Sequence, residues 1–327
     1  MKKVLVIAAA AFIAILLSGC GKIEKDEVHD FKIVTRATDY YTKEVSVDTL
    51  YLDDIDDYVM LYSPEEILTC EHFAEIRFKK KITFYNSIDA TFDFLIDGEN
   101  VLKARFVTGA QSIPVYDEFV VYSSSEYSLH LLYEYQTHQS LPVTSIDRNE
   151  YEALETINSI LNRHMREQAE RQLGKNVWKG FKIVVKEFDY TGAFTFQSVD
   201  KEDIESFIVK VEPEYNENNE PCARMNLKNE IKDAYKNSVA RFDFYLEGER
   251  IMAAYRIIGN GTIDADIRWR FVLLQSEQNK RSYDIVYEYY GEEVRARHEI
   301  YGIPLKVNRI KNSQKLALET INAYLRK

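Results

Sequence analysis

The chain has few of the residues that build metal centres. Its 327 residues include three cysteines and six histidines. No CxxC pair occurs, and no cysteine and histidine have the spacing of zinc ligands, so the sequence predicts neither a structural metal nor a cofactor. Hydrophobic residues make up 46% of the chain and aromatic residues 13%. This composition can bury a core, which excludes an intrinsically disordered protein.

Catalytic signatures are also lacking. The sequence contains no GxSxG, HExxH, GxxxxGKS/T or GxGxxG motif, which excludes the enzyme classes that these motifs mark. Gly259-Asn260-Gly261 indicates a loop. The histidines are scattered, and each is interpreted as a solvated or core residue: His29, His72, His130, His138, His164 and His298. No catalytic or cofactor-binding residue is predicted, which favours a protein that is not an enzyme.

Positive charge is scarce relative to negative charge. Lysine and arginine number 42 against 53 aspartates and glutamates, and the formal net charge is −11. Nucleic-acid binding needs clustered basic residues, so this balance argues against a nucleic-acid partner. It also disfavours close contact with an anionic lipid surface. Solubility is the simplest role of the charge.

One long apolar run is present, and no comparable run follows it. It extends from Val4 to Leu17, after Met1-Lys2-Lys3 and before Ser18-Gly19-Cys20. As a helix it would rise about 21 Å, less than the roughly 30 Å of a bilayer core, which argues against a transmembrane helix. A charged start, a short apolar stretch and small residues before a cleavage point are typical of a secretory signal. Because a cysteine directly follows Leu-Ser-Gly, the first twenty residues resemble a bacterial lipoprotein signal.

The resemblance implies a lipid anchor and an extracytoplasmic address. Residues 1–19 would be removed, and Cys20 would carry a diacylglycerol thioether as the mature N-terminus. The alternative is an ordinary cysteine after an ordinary signal peptide. Removal leaves 308 residues, and the loss of Lys2 and Lys3 takes the net charge from −11 to −13. The implied location is the cell membrane, or the outer membrane of a Gram-negative cell, because Gly21 is not the usual inner-membrane retention residue.

The body of the chain is predicted to be a tandem duplication. Phe31-Lys32-Ile33-Val34 recurs at 181–184 and residues 92–109 recur at 242–259, both with an offset of 150. Tyr133-Glu134-Tyr135 recurs at 287–289, and residues 153–158 recur intact at 317–322. The matches keep their order, and their period is far longer than that of solenoid repeats. The sequence therefore predicts a polar tether at 20–30, a first α+β repeat at 31–173, a linker at 174–180 and a second α+β repeat at 181–327.

Each repeat is predicted to be mainly antiparallel β and to end in an α-helix. Alternating apolar residues at 92–96, followed by Asp97-Gly98, indicate a hairpin, and Glu247-Gly248 is the matching turn. Residues 47–88 and 197–238 align poorly, and a short helix is the interpretation of 224–236. Further strands rich in Val, Ile, Tyr and Phe are predicted at 115–123, 128–136, 204–211, 269–276 and 283–290.

The predicted helices have recognisable ends. Asp147-Arg148-Asn149-Glu150 is typical of a capping box, and Gly174 is typical of a helix C-terminus. Apolar residues keep a helical period between them. In the second repeat Ser313 is the predicted N-cap, ahead of Leu318, Ile321 and Leu325. Residues 164–173 are interpreted as an arm between domains and residues 174–176 as a hinge.

Acidic residues form the densest charge clusters. Carboxylates suit calcium, but neither cluster has the alternating acids and glycine of a calcium loop, so solvated loops are predicted. The two clusters are Asp53, Asp54, Asp56 and Asp57, and Asp200, Glu202, Asp203 and Glu205. Two further acids are retained in both repeats: Asp93 with Asp243, and Glu134 with Glu288. Each alternates within a predicted strand, so each is expected to face solvent and not to be catalytic.

The remaining cysteines and the tyrosines have two interpretations each. Cys70 and Cys222 are either one extracellular disulfide or two buried thiols, and their roughly matching places in the repeats favour separate thiols. The 23 tyrosines are expected to be mostly core and cross-strand residues. Exposed tyrosines would instead form a recognition surface.

Three functions fit these features. The first is a non-enzymatic lipoprotein whose tandem modules bind an envelope protein or polymer. The second is a solute-binding lipoprotein of a transporter, although such proteins usually resemble two α/β lobes and this sequence lacks their strand–helix alternation. The third is an envelope hydrolase with a site built from scattered residues.

Overall fold

The computed structural model describes most of the predicted repeats but not the predicted signal. The described residues are 29–61, 63–67, 72–82, 87–107, 114–125, 127–135, 146–174, 178–188, 194–210, 221–232, 239–257, 266–276, 278–290 and 310–326. Cys20, Cys70, His138 and His298 lie outside these ranges, as do residues 175 and 176 of the predicted hinge. Within the described ranges, no helix has the length and apolar character needed to cross a bilayer.

The described residues form two sheets of eight strands, each followed in the chain by an α-helix. The first sheet contains β1 Phe31–Asp39, β2 Val45–Tyr51, β3 Ile55–Met60, β4 Ala74–Phe78, β5 Ser87–Ile96, β6 Glu99–Val107, β7 Val115–Ser125 and β8 Ser128–Tyr135, and helix α1 Arg148–Leu173 follows it. The second contains β9 Phe181–Phe188, β10 Phe194–Asp200, β11 Ile204–Val209, β12 Pro221–Leu227, β13 Val239–Leu246, β14 Glu249–Ile257, β15 Asp266–Gln275 and β16 Ser282–Tyr290, and helix α2 Asn312–Leu325 follows it.

Both sheets have the same topology. Their orders are β2-β1-β5-β6-β7-β8-β4-β3 and β10-β9-β13-β14-β15-β16-β12-β11, so each strand of the first corresponds to the strand numbered eight higher. β6 and β7 pair in parallel, and so do β14 and β15. Ten further strand pairs of the described residues have antiparallel registers. The prediction of an α+β protein with two similar tandem modules is confirmed, while the repeat boundaries stay predictions.

The repetition extends into the segments whose sequences align poorly. The N–H of Leu61 donates to the Phe73 carbonyl at 2.8 Å, and the N–H of Lys210 donates to the Cys222 carbonyl at 3.0 Å. These matched bonds make Phe73, and not Cys70, the counterpart of Cys222. The helix predicted from residue 224 is wrong at its start, because residues 221–227 form strand β12 between β16 and β11.

The hairpin turns were predicted correctly. Asp97 and Gly98 have φ values of 53° and 86°, and Glu247 and Gly248 have values of 51° and 84°. Positive φ at both central residues suits a two-residue turn, because its twist matches that of the flanking strands. Glycine adopts this conformation without a steric cost.

The first helix has the predicted caps, and the second does not. The N–H of Asn149 donates to Asp147 Oδ1 at 2.7 Å, and the N–H of Asp147 donates to Glu150 Oε2 at 3.2 Å. Gly174 ends this helix with a φ of 91°. Helix α2 instead has Lys311 as its N-cap. Ser313 is inside the helix, and its N–H donates to Glu66 Oε1 at 3.1 Å. The carboxylate of Glu66, which is distant in the chain, accepts a backbone N–H at the N-terminus of this helix. Local sequence therefore could not reveal where the helix begins.

The chain divides into two compact units. One comprises Met1–Asp56, Leu68–Cys70 and Ile76–Leu161, and the other Asp57–Ile67, Glu71–Glu75 and Asn162–Lys327. In the first unit, Ile33 pairs with Leu50 on one side and Phe94 on the other, and all three side chains are buried. Leu154, Ile157 and Leu161 of α1 are buried in the same unit.

The second unit buries both faces of its sheet. The inner face carries Ile183 and Phe244, which share one hydrophobic cluster with Leu318 and Ile321 of α2. The outer face carries Val184 and Tyr245, which pack with Ala169 and Leu173 of α1 and with Trp178 and Phe196. Alternating residues of this sheet are therefore buried on both sides.

Candidate functional site

The first acidic cluster is not the solvated loop that was predicted, because Asp56 and Asp57 are buried in β3. Asp54 is paired with Lys80 at 3.1 Å, Asp56 with Arg77 at 3.8 Å, and Asp57 with Lys186 at 3.5 Å. In the second sheet, Asp203 Oδ2 accepts the N–H of Asp200 at 3.1 Å. Among the described residues, no group of three or more His, Cys, Asp or Glu side chains could hold a metal ion.

The two retained acids are buried, so the expectation that they face solvent was wrong. Asp93 forms an ion pair with Arg36, and Asp243 forms one with Arg241. Glu134 and Glu288 are buried at positive φ values of 58° and 63°. Both lie in strands whose register shifts at a β-bulge, and Glu134 Oε1 accepts the N–H of Asp117 at 3.2 Å. Glu134 is retained in both repeats because its side chain accepts a backbone hydrogen bond at the bulge.

A cluster of paired charges lies on the buried outer face of the second sheet. Arg241 is 1% exposed, and its Nε and Nη2 donate to Asp243 Oδ2 at 3.0 and 2.6 Å. Arg241 also binds Asp57, whose Oδ1 lies 3.5 Å from Lys186 Nζ. Arg250 Nη1 donates to the Tyr58 carbonyl at 3.0 Å and lies 3.9 Å from Asp243 Oδ1. We refer to Asp57, Lys186, Arg241, Asp243 and Arg250 as the charge cluster.

The cluster is arranged to keep its charges ionised. Burial alone would raise the pKa of Asp57, but the positive charges of Arg241 and Lys186 lower that pKa below its ordinary value. Burial opposes the charge of Arg241, but Asp243 and Asp57 raise the pKa of its guanidinium. Each carboxylate faces a basic partner within the unit, so the arrangement serves structure more than chemistry.

The sequence carried no signal for this cluster. Arg241 and Asp243 alternate with apolar residues along β13, as solvent-facing residues of a one-sided sheet would. Their burial results from the segments at 57–67, 71–75 and 162–173 that belong to the same unit.

His29, His130, His164 and Cys222 have structural surroundings. His29 Nδ1 lies 2.7 Å from Asp97 Oδ2, and His164 Nε2 lies 2.8 Å from Gln168 Nε2. His130 is buried beside Tyr122. Cys222 is a buried free thiol, and burial raises its pKa to about 11. These positions agree with interpreting the histidines as structural and Cys222 as a buried thiol.

Cys222 is expected to resist alkylation in the folded protein. At neutral pH a thiol with a pKa of about 11 has roughly a hundredth or less of the thiolate of an ordinary cysteine. The measurement is the rate of maleimide labelling in a Cys20→Ser, Cys70→Ser chain, with the urea-unfolded chain as the control. Equal rates in the folded and unfolded chains would contradict the buried position.

Exposed apolar side chains concentrate on the hairpin of β1 and β2. Tyr41 is 80% exposed and Val47 is 62% exposed, and Tyr40, Val45 and Tyr51 are also exposed. Because β2 is the first strand in the sheet order, Val45 and Val47 lie on an edge strand, where another chain can pair. We call these five residues the hairpin surface.

The tip of this hairpin is closed by local hydrogen bonds and ring contacts. Asp39 Oδ1 accepts the N–H groups of Tyr41 and Thr42, both at 2.8 Å. The rings of Tyr40 and Tyr41 meet edge to face at 5.2 Å, and Lys43 Nζ lies 4.8 Å from the centre of the Tyr40 ring. Rigid, exposed aromatic rings lose little entropy on binding, so the hairpin surface is the candidate recognition site.

Comparisons with known proteins identify no relative. The chain matches no protein-family model, no curated protein and no solved structure.

Proposed function

We propose that this chain is an extracytoplasmic lipoprotein, anchored to the cell membrane through Cys20, whose tandem modules bind an envelope protein or polymer without catalysing a reaction. The observation that carries the proposal is the sequence Leu17-Ser18-Gly19-Cys20 after a short apolar run. The hairpin surface supports the binding role, because a group of exposed tyrosines and valines is typical of an interaction site.

The fold favours this role over that of a solute-binding lipoprotein. Each sheet is built from eight strands, with the α-helix after the last of them. Solute-binding lobes are instead expected to alternate strands and helices.

Metabolic labelling with palmitate tests the anchor. The wild-type chain, expressed in a lipoprotein-processing bacterium, is expected to incorporate label and to fractionate with membranes, whereas Cys20→Ser is expected to lose all label. Cys70→Ser is the matched control and is expected to label as wild type. Mass spectrometry of the wild-type chain should find the mature N-terminus at Cys20. An unlabelled wild-type chain that is cleaved elsewhere, or not cleaved, would overturn the anchor.

A further inference from the structure

We propose that the outer face of the first sheet, at β1, β2 and β5, binds an amphipathic α-helix of a partner protein. This inference deepens the proposed interaction role and rests on it, but it does not depend on lipidation. Its basis is the duplicated topology: the corresponding face of the second sheet carries a helix within its own unit.

The residues of the two faces correspond through the strand registers. In the first sheet Arg36 pairs with Val47, and Lys32 pairs with both Tyr51 and Leu95. In the second sheet the same positions are occupied by Lys186 with Phe196, and by Lys182 with Asp200 and Tyr245. Residues directly opposite one another in neighbouring strands share a face. Val34 therefore corresponds to Val184, Val47 to Phe196 and Leu95 to Tyr245.

The second sheet shows what covers this face. Val184, Tyr245 and Phe196 pack against Ala169 and Leu173, which are four residues apart and so lie on one side of α1. The helix also binds the edge strand directly, because Gln172 Oε1 accepts the N–H of Phe196 at 3.2 Å. A small residue, a leucine and an amide on one helix face thus complement one valine position, two aromatic positions and the strand edge.

The apolar side chains at the corresponding positions of the first sheet are more exposed than those of the second, although Asp93, opposite Val34, is buried. Val45, Val47 and Tyr51 are exposed, and Val34 and Leu95 are half-buried. The opposite face of these strands is the core, where Ile33, Leu50 and Phe94 are buried. The exposed apolar residues therefore lie on the face of the sheet opposite the core. This face corresponds to the one that packs against helix α1 in the second unit. We favour a helix over an added strand because, in the second sheet, the side chain of Gln172 on helix α1 is hydrogen-bonded to the edge strand.

The probe for the test is a fluorescent synthetic peptide with the sequence of residues 148–173, which contains the helix face just described. Anisotropy titration with the full-length chain in detergent is expected to give saturable binding. Val47→Lys is expected to weaken binding about tenfold or more, because a valine that the bound helix would bury is replaced by a charge. Ile208→Lys, at an exposed apolar position of β11, is the matched control and should not change the affinity.

The peptide supplies a second control. Replacement of its residues corresponding to Ala169 and Leu173 with lysine should abolish binding, while unchanged circular dichroism of Val47→Lys excludes unfolding as the cause. Absence of saturable binding, or binding equally strong to wild type and Val47→Lys, would overturn the docking proposal. Equally strong binding to Val47→Lys would indicate that the peptide replaces α1 on the second sheet. Palmitate labelling tests the anchor independently of helix binding. A chain that is lipidated but binds no helix would contradict only the docking proposal. A chain that binds the helix but is not lipidated would contradict only the anchor.

Discussion

Replacing Arg241 with leucine is expected to lower the free energy of unfolding of the second unit by about 3–5 kcal/mol. Arg241 is the shared partner of Asp57 and Asp243, and all three side chains are buried. Removal of the guanidinium leaves two carboxylates in a medium that solvates them poorly, and Lys186 and Arg250 reach them only at 3.5 and 3.9 Å. Urea unfolding followed by circular dichroism measures the loss.

Arg105→Leu is the matched control for this variant. Arg105 is also a strand residue paired with an acid, but its side chain is 50% exposed and Glu118 is 38% exposed. Exposed pairs contribute about 1 kcal/mol or less, so this variant should unfold close to wild type. Equal losses in the two variants would show that the charge cluster is not a buried structural element.

Acid should reduce the difference between wild type and Arg241→Leu. An acid whose pKa is lowered by folding stabilises the folded state above its unfolded pKa, and that contribution is lost as the pH falls through its folded pKa. The pKa of Asp57 is lowered from 3.8 in the wild type, so the wild type should lose stability below about pH 4. Without Arg241 the Asp57 pKa should rise, and protonation of the stranded carboxylates should stabilise the variant.

Leu318→Ala is expected to lower the free energy of unfolding of the second unit by about 2–5 kcal/mol. Leu318 is fully buried in the cluster that α2 forms with the inner face of the second sheet. Its duplicate, Leu154 of α1, is 1% exposed in the first unit. Because both leucines come from the same repeated sequence, Leu154→Ala should produce a loss of the same size. Urea unfolding of each variant measures these losses.

Glu319→Ala is the control, since Glu319 is adjacent in the chain but exposed. It should change stability by no more than about 0.5 kcal/mol. A loss below about 1 kcal/mol for Leu318→Ala would contradict the packing of α2 against the sheet. A large effect at Leu318 with none at Leu154 would show that the two copies use their helices differently.

Duplication and local structure could be predicted where neighbouring residues decide them. The two-residue turns at Asp97-Gly98 and Glu247-Gly248 depend on a local preference for positive φ. The cap of α1 is a bond among residues within four positions of one another. Segments that keep their order in two copies also predict two modules, without any knowledge of how the strands pair.

The failed predictions involved partners that are distant in the chain. Ser313 was chosen as an N-cap for its side chain, but its N–H bonds to Glu66, 247 positions away. Residues 224–227 of strand β12 were interpreted as part of a helix because local sequence does not show that this segment pairs between β16 and β11. The candidate recognition site was only partly accessible to sequence, since alternation does not show which tyrosines and valines remain exposed.

By itself, the sequence determined the tandem repetition, the mainly antiparallel β character, the turns and first helix cap, and the resemblance that implies an anchor at Cys20. These depend on residue order, local backbone preference and side-chain period. Only the tertiary structure decided that Asp57, Arg241 and Asp243 are buried while Val45 and Val47 of the first sheet are exposed. Alternation places a residue on one face of a sheet, but burial depends on what covers that face, and segments far away in the chain supply that cover.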